Sequence, residues 1–376
     1  MEKELELKKE NLKTHLKPYI TKTNLYDIIP SPKNIRYRNN IMFSMGYNDK
    51  NEITIGPFKE IKSKEILQPN ENMLVSNLAI SICNYMKIWI QKFSKLPVTE
   101  YPSFEGFWRH IQIRQNINND FTISFRFSNF DKYKYVWQEE RYRLLKYFIS
   151  VPEIKENKFK LLSISYQICC GKKEPSVNEP FYEIYNKGYL IENILGNNFI
   201  IKMGGFFQVN MYSSKYIYSI VKSLIKPNTE NVLYDMCCGI GMYSIILSDL
   251  FYKVIGIDSN NKNITSANEN KELNKKKNIT FINDRIENVE IKKSIFNKTI
   301  IINPPRRGLY NIVLEDINKN IDLIEQLIYV SCCVETLKRD LEMLNLQGKE
   351  ISHIIPLNQF PNTEHYEIIV NIIKLN

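Results

Sequence analysis

Val232–Ser244 reads VLYDMCCGIGMYS: an apolar run closed by Asp235, two cysteines, then a Gly239-Ile240-Gly241 turn that opens the next segment. A short apolar run ending in glycine signals a buried strand, and glycines after a strand let the backbone approach a ligand closely. The spacing predicts a strand over Asn231–Met236 and a helix over Met242–Leu250. The rhythm continues downstream, with a strand at Lys253–Asp258, a helix at Asn261–Asn274, and strands at Ile279–Ile282, Lys298–Ile302 and Leu327–Val330. A helix at Val334–Leu344 and strands near Ile351–Pro356 and Glu367–Ile373 close the chain. Such alternation implies a mostly parallel, doubly covered α/β sheet that binds ligands at its strand C-termini.

Upstream the pattern differs. Ser31–Phe58 alternates apolar and polar residues between turn signals, which predicts antiparallel strands. Met73–Phe93 has helical spacing, Trp108–Arg114, Phe121–Phe127 and Lys160–Ile168 read as strands, and Glu139–Phe148 as a helix. This is a strand-rich α+β unit. Residues 3–16 read as a charged helix or tail. A chain of 376 residues exceeds one growing core, so the expected division is 1–29 (helix or tail), 30–200 (α+β) and 201–376 (α/β).

Hydrophobic residues at 43% and charged residues at 24% exclude wholesale disorder. A net charge of +10 and a pI near 9.0 favour polyanionic partners, because lysines and arginines on phosphates release condensed counterions. No run of about 18 apolar residues occurs and Met1–Glu10 is charged, so an intracellular, soluble protein of the cytoplasm or nucleus is expected. The seven cysteines are Cys83 and the adjacent pairs Cys169–Cys170, Cys237–Cys238 and Cys332–Cys333. That spacing supports neither a zinc site nor a disulfide framework. The Asn/Lys clusters Asn260–Asn263 and Lys275–Asn278 read as solvated loops or helix ends.

Four segments could carry chemistry. Where a dinucleotide fingerprint wants a third glycine after Gly241 stands Ser244, while Asp258 ends the next strand at the distance of a ribose-binding acid. That suits a nucleoside cofactor such as S-adenosylmethionine; a purely structural turn is the alternative. In INPPRRGL, Ile302–Leu309, two prolines fix the backbone beside Asn303, either for a ligand or as a strand stop. In YVSCCVETLKRDL, Cys332 and Cys333 pass from a strand into a helix, where the helix N-terminus favours a thiolate; a buried structural cysteine is the alternative. In FPNTEHYEII, Glu367 opens the terminal strand as a base or merely as a strand-edge charge.

Taken in order, these segments resemble the RNA 5-methyluridine methyltransferase family, most of all its eukaryotic tRNA-modifying branch. The matches are Phe206–Asn210 to F-F-Q-V-N, Cys238–Gly241 to C-G-x-G, Asn303–Gly308 to D-P-P-R-x-G, Ser331–Cys332 to the start of S-C-N-P, and His365-Tyr366-Glu367 to H-x-E. A weaker match runs upstream through SPKNIRYRNN, Gly56 and EGFWRHIQIR. Asn303 departs from the family Asp, Met242 from a usual Thr or Asn, and Cys333-Val334 from Asn-Pro.

The resemblance implies a Rossmann-like S-adenosylmethionine methyltransferase domain with an antiparallel last strand, preceded by a smaller α+β RNA-binding domain. It implies Cys332 as nucleophile, Glu367 as proton acceptor, and Gln208, Cys237, Gly239, Gly241, Asp258 and Asn303 as cofactor-binding residues, with no metal. The implied partner is the T-loop of tRNA, with no obligate protein partner. Ribosomal RNA, or a weakly active tRNA-folding role, remains as an alternative. Trp108, Arg109 and Arg114, with Arg126, Arg141 and Arg143 nearby, form the aromatic and basic mix expected to grip unpaired RNA; for some of them a place in the core or on ordinary solvated surface is the alternative.

Overall fold

The computed structural model describes residues 2–21, 24–60, 65–176, 179–186, 188–289, 291 and 297–375. Two compact units emerge: Met1–Asn34 with Asn193–Ile200 and Gly205–Asn376, and Ile35–Glu192 with Ile201–Gly204. Residues 1–29, set apart in the sequence, lie in the first of these.

The first unit begins with helix α1 (Glu2–Leu16) and continues with α2 (Met211–Leu224), β1 (Asn228–Met236), α3 (Met242–Leu247), β2 (Phe251–Asp258), α4 (Asn261–Leu273) and β3 (Ile279–Asn283). Then follow β4 (Lys298–Ile302), α5 (Asn311–Lys319), β5 (Ile324–Ser331), α6 (Val334–Met343), β6 (Lys349–Leu357) and β7 (Glu367–Lys374). One seven-stranded sheet results, in the order β3-β2-β1-β4-β5-β7-β6. The pairs among β3, β2, β1, β4 and β5 are parallel, while β7 runs antiparallel between β5 and β6. Every residue of β4 is buried, as its near-continuous apolar run demands of a strand covered on both faces. The strand order turns back between β1 and β4, and such a reversal opens a crevice at the strand C-termini.

α1 is a helix and not a tail. Leu12 and Leu16 are fully buried in the same core as Val334, Leu337 and Leu341 of α6. Lys8, 4% exposed, donates from Nζ to Glu4 Oε1 and Asn358 Oδ1, each at 2.7 Å. A buried ammonium without such partners would be costly, so these bonds hold the helix in one place.

The second unit is a six-stranded sheet whose order is Ile53–Gly56, Asn40–Tyr47, Trp108–Gln115, Asp120–Phe127, Lys160–Ile168, Tyr182–Tyr185. The helices Asn77–Lys92 and Phe130–Ile149 contribute Ile82, Met86, Trp137 and Phe148 to its core. That core is aromatic: Phe107 stacks on Phe127 at 4.3 Å, and Trp137 meets Phe127 edge-on at 4.7 Å. Trp108 lies inside it, 0% exposed, with its indole N–H donating to Ser94 Oγ at 3.1 Å.

This burial corrects the expectation for RNA binding. Arg109 is 2% exposed and forks onto the carbonyls of Gly171 and Lys172 at 2.8 Å each, with Glu174 Oε1 2.6 Å away. Arg114 is 4% exposed and donates to the carbonyl of Lys202 at 2.7 Å. Side chains that spend their surface and donors on the protein offer RNA neither a stacking face nor a free cation. Arg126 is likewise ion-paired with Glu174.

Candidate active site

Asp235, near the end of β1, is fully buried. Its Oδ2 accepts from the backbone N–H and the hydroxyl of Ser244 at 2.9 and 2.6 Å, which ties the strand to α3 across the glycine turn. Its Oδ1 has no partner among the described residues, and burial pushes the carboxyl up to about 6.

Within that turn Gly239 has φ +56° and Gly241 φ +85°. A Cβ on Gly241 would lie 2.7 Å from Cζ of Phe281, whereas one on Gly239 would meet nothing within 4 Å. Gly241 is therefore a packing glycine, and Gly239 faces open space. Cys237, also at positive φ (+64°), is mostly buried, and burial pushes its thiol up to about 12.

Asp258 closes β2 beside this turn. Its carboxylate accepts from Gly239 N at 2.9 Å, Asn260 N at 2.8 Å and Asn263 Nδ2 at 3.2 Å. A carboxylate has about four acceptor positions, so one is left for a ligand hydroxyl. Asn260 also caps α4, accepting from Lys262 N. The Asn260–Asn263 cluster, read as a solvated loop or helix end, is the start of α4 and builds the setting of Asp258. A cleft of about 260 Å³ beside it is lined by Cys237, Ile286, Pro304, Arg307 and Tyr310. An acid, apolar and ring surfaces, and open space over Gly239 fit a nucleoside with its ribose.

A second cavity, about 650 Å³, opens at Cys332 and Arg306. The consecutive arginines of the Pro304-Pro305 turn thus line different clefts, Arg306 this one and Arg307 the first. Ser331 pairs with Ile368 in the antiparallel β5–β7 ladder, so Cys332 and Glu367, one step beyond that pair, lie at the same end of neighbouring strands. Ser331 fixes this exit, accepting from Cys333 N at 3.2 Å and donating to Cys333 O at 2.9 Å.

Glu367 is 4% exposed, and its Oε2 has no partner among the described residues. Burial pushes it up to about 8, opposed by Arg306. Cys332 is half-buried; burial and then Glu367 push its thiol up to about 11, and Arg306 opposes both. Burial works against the thiolate expected from the helix terminus. α6 starts at Val334 with Cys333 as its cap residue, and burial is the largest influence on the Cys332 thiol.

Residues not assigned from the sequence complete the site. The phenols of Tyr218 and Tyr243, edge-on with centroids 5.2 Å apart, lie in the field of both Glu367 and Asp235. The Tyr243 hydroxyl and Gln359 Oε1 are also buried without partners among the described residues. Gln359 Nε2 donates to Gln208 Oε1 at 3.4 Å and to Asn210 O at 3.3 Å, which links the FFQVN segment to the loop before Glu367. Asn303 sits half-buried just past β4, its N–H donating to Met236 O at 3.4 Å. Among the described residues, Asp235 Oδ1, Tyr243 Oη, Gln359 Oε1 and Glu367 Oε2 are thus buried polar atoms that a polar ligand could satisfy.

Among the described residues no group of three His, Cys, Asp or Glu could hold a metal ion, and no helix is long and apolar enough to cross a membrane. The sequence profile of the tRNA (uracil-5-)-methyltransferase family matches residues 193–375. A protein of Acanthamoeba polyphaga mimivirus named as a putative RNA methyltransferase is 33% identical, over 96% of this chain and 92% of its own. An uncharacterised RNA methyltransferase of Nanoarchaeum equitans is 32% identical, over 92% of this chain and 71% of its own. Among solved structures, the tRNA (uracil-54, C5)-methyltransferase of Pyrococcus abyssi in complex with S-adenosyl-L-homocysteine superposes with a TM-score of 0.77 at 25% identity, covering 99% of this chain and 83% of that one. The chain belongs to the tRNA (uracil-5-)-methyltransferase family, the S-adenosylmethionine-dependent enzymes that methylate RNA uridines at carbon 5.

Proposed function

We propose that the chain methylates carbon 5 of a tRNA uridine, the T-loop uridine at conventional position 54, with Cys332 bonded to carbon 6 during the reaction. The substrate named for the Pyrococcus abyssi enzyme supports the choice of position. The observation that carries the reading is the placement of Cys332 beside the buried, unpartnered carboxyl of Glu367.

Carbon 5 of uracil is too weak a nucleophile to be methylated unaided. Addition of the Cys332 thiolate to carbon 6 moves the ring electrons toward carbon 5 as an enolate. Arg306, whose charge favours the anionic forms of both Cys332 and Glu367, stabilises that thiolate. S-adenosylmethionine, when bound, supplies the methyl group as a sulfonium electrophile. Glu367 then takes the proton from carbon 5, the carbon 5–carbon 6 double bond re-forms, and the sulfur leaves carbon 6 with its electron pair. The base must leave its stack to meet Cys332 and Glu367 together.

For the cofactor, Asp258 would hold the ribose through its remaining acceptor position, the backbone of Cys237 and Gly239 would lie against it, and Gln208 and Asn303 would supply further polar contacts. Asp258→Ala should weaken S-adenosylhomocysteine binding about ten- to a hundredfold, the loss of a charge-assisted hydrogen bond of about 1.5–3 kcal/mol. Calorimetry checks this, and unchanged affinity removes the assignment.

The two glycines should separate under substitution. Gly241→Ala adds a clash with Phe281 to the left-handed strain and should lower stability by about 2–4 kcal/mol. Gly239→Ala carries the strain alone, about 1–2 kcal/mol, but places a methyl where the ligand would lie. Denaturant melts and calorimetry on both variants should show Gly241→Ala as the less stable protein and Gly239→Ala as the weaker binder.

The function itself is tested by incubating tRNA and, separately, ribosomal RNA with the protein and S-adenosylmethionine, with nucleoside mass spectrometry for product and mass mapping of ribonuclease fragments for its position. New 5-methyluridine at position 54 supports the reading. Product only in ribosomal RNA moves the substrate, and binding without product leaves a folding factor.

A further inference from the structure

The cavity at Cys332 has a wall that the reaction chemistry does not require. Lys3, Leu7 and Asn11 of α1 line it together with Arg306, Cys332 and the carboxylates Glu335 and Glu364. The three recur every fourth residue and so form one stripe of the helix. The adjacent stripe is the anchor: Glu4 and Lys8 bond each other at 2.7 Å, Lys8 reaches Asn358, and Glu4 accepts from Asn362 N at 3.1 Å. Asn11 Oδ1 accepts from the hydroxyl of Tyr366, the residue before Glu367, at 2.7 Å. Glu4 and Lys8 also line the cavity, so the helix is held by these bonds while Lys3 and Leu7 are left exposed at the cleft.

The stripe of Lys3 and Leu7 has the composition of a nucleic-acid contact. Leu7 is 63% exposed, an apolar side chain left in the open at a catalytic cleft. Lys3 is exposed and no carboxylate ion-pairs with it among the described residues, whereas Lys8, Lys9 and Lys13 are taken by Glu4, Asp27 and Glu10. Arg306 has no ion-pair partner among the described residues either. A uridine within a polynucleotide brings two phosphates to the mouth of the cleft that takes its base. The cavity, at about 650 Å³, continues from the thiol to α1.

We propose that α1 is an RNA-binding wall of the catalytic cleft, with Lys3 on a phosphate and Leu7 against the sugar or base of the nucleotide next to the target uridine. This rests on Cys332 being the nucleophile toward an RNA uridine. It gives the N-terminal segment a part in substrate choice, which arginines buried in the second unit cannot play.

Lys3→Ala and Leu7→Ser sit at exposed positions, so the full-length variants should fold like the wild type. Fluorescence anisotropy with labelled tRNA transcript, at several salt concentrations, reads the effect. Lys3→Ala should raise the Kd about three- to tenfold and flatten the salt dependence by about one unit of slope, the mark of one lost phosphate contact. Leu7→Ser should raise the Kd by a similar factor without changing the slope. S-adenosylhomocysteine affinity, measured by calorimetry, should stay within about twofold in both. If the wild type forms 5-methyluridine and both variants keep its Kd and slope, the wall does not contact RNA and this inference alone falls. If the wild type neither binds nor methylates RNA, the functional reading falls and this inference with it.

Discussion

Cys332→Ala abolishes both turnover and the covalent adduct with 5-fluorouridine-substituted tRNA, while Cys333→Ala keeps both within about tenfold: that is the expected result for two adjacent thiols with different surroundings. Both line the same cavity, so access does not distinguish them. Their partners do. Cys332 shares the fields of Arg306, which favours its thiolate, and of Glu367, the proposed acceptor of the carbon 5 proton. The Cys333 thiol donates to Glu335 Oε2 at 3.1 Å, and its backbone closes the Ser331 turn and opens α6. Fluorine at carbon 5 leaves no proton to remove after methylation, so an enzyme working through Cys332 stays bonded to the RNA. A denaturing gel reads the outcome directly. Adduct from Cys332→Ala but not from Cys333→Ala would transfer the role to Cys333.

With Cys332 at about 11 and Glu367 at about 8, both groups must lose protons to act, so wild-type turnover should climb as pH rises through about 8. A rate already flat between pH 6 and 9 would mean that neither proton limits it.

The strand ladder of the first unit was legible because its central strands read as nearly unbroken apolar runs, β4 being buried throughout. Lys298–Ile302 has the bounds the sequence suggested, as does the alternating strand Lys160–Ile168 of the second unit. Met211–Leu224 was not legible, since MYSSKYIYSIVKSL is rich in serine, aromatic and β-branched residues of modest helix propensity. Asn210, accepting from Ser213 N, and burial of Ile217, Tyr218 and Val221 make it a helix. Asn311–Lys319 also escaped, a short helix behind two prolines.

The site divides along a similar line. Cys332, Glu367, Asp258 and the glycines stand in local motifs. Asp235, Tyr243 and Gln359 acquire meaning only when the fold leaves their polar atoms buried without partners, which no spacing reveals. The reverse failure occurred at Trp108, Arg109 and Arg114. Arginine and aromatic residues on one strand look alike whether they face RNA or the core, and here they are internal. The best local clue was the strand itself, WRHIQIR, whose isoleucines belong to a buried core.

Glu367→Gln should stop the enzyme after methyl transfer. Glutamine keeps the size and one acceptor oxygen but cannot take the carbon 5 proton, so addition of Cys332 and methylation proceed while elimination does not. Ordinary, unfluorinated tRNA should then remain bonded to Cys332 on a denaturing gel, and label from the cofactor methyl should migrate with it. A second signature comes from the burial that sets this carboxyl at about 8. In the unfolded chain it ionises near 4.5, so its contribution to folding is fully present below that pH and is lost as pH rises through about 8. A neutral glutamine suffers no such loss, so the variant should gain stability relative to wild type as pH passes from 5 to 9 in denaturant melts. Trapped adduct together with that pH-dependent gain identifies Glu367 as the buried proton acceptor. The gain without the adduct means a buried carboxyl that acts before methyl transfer or not in the chemistry, and normal turnover in the variant removes it from the mechanism.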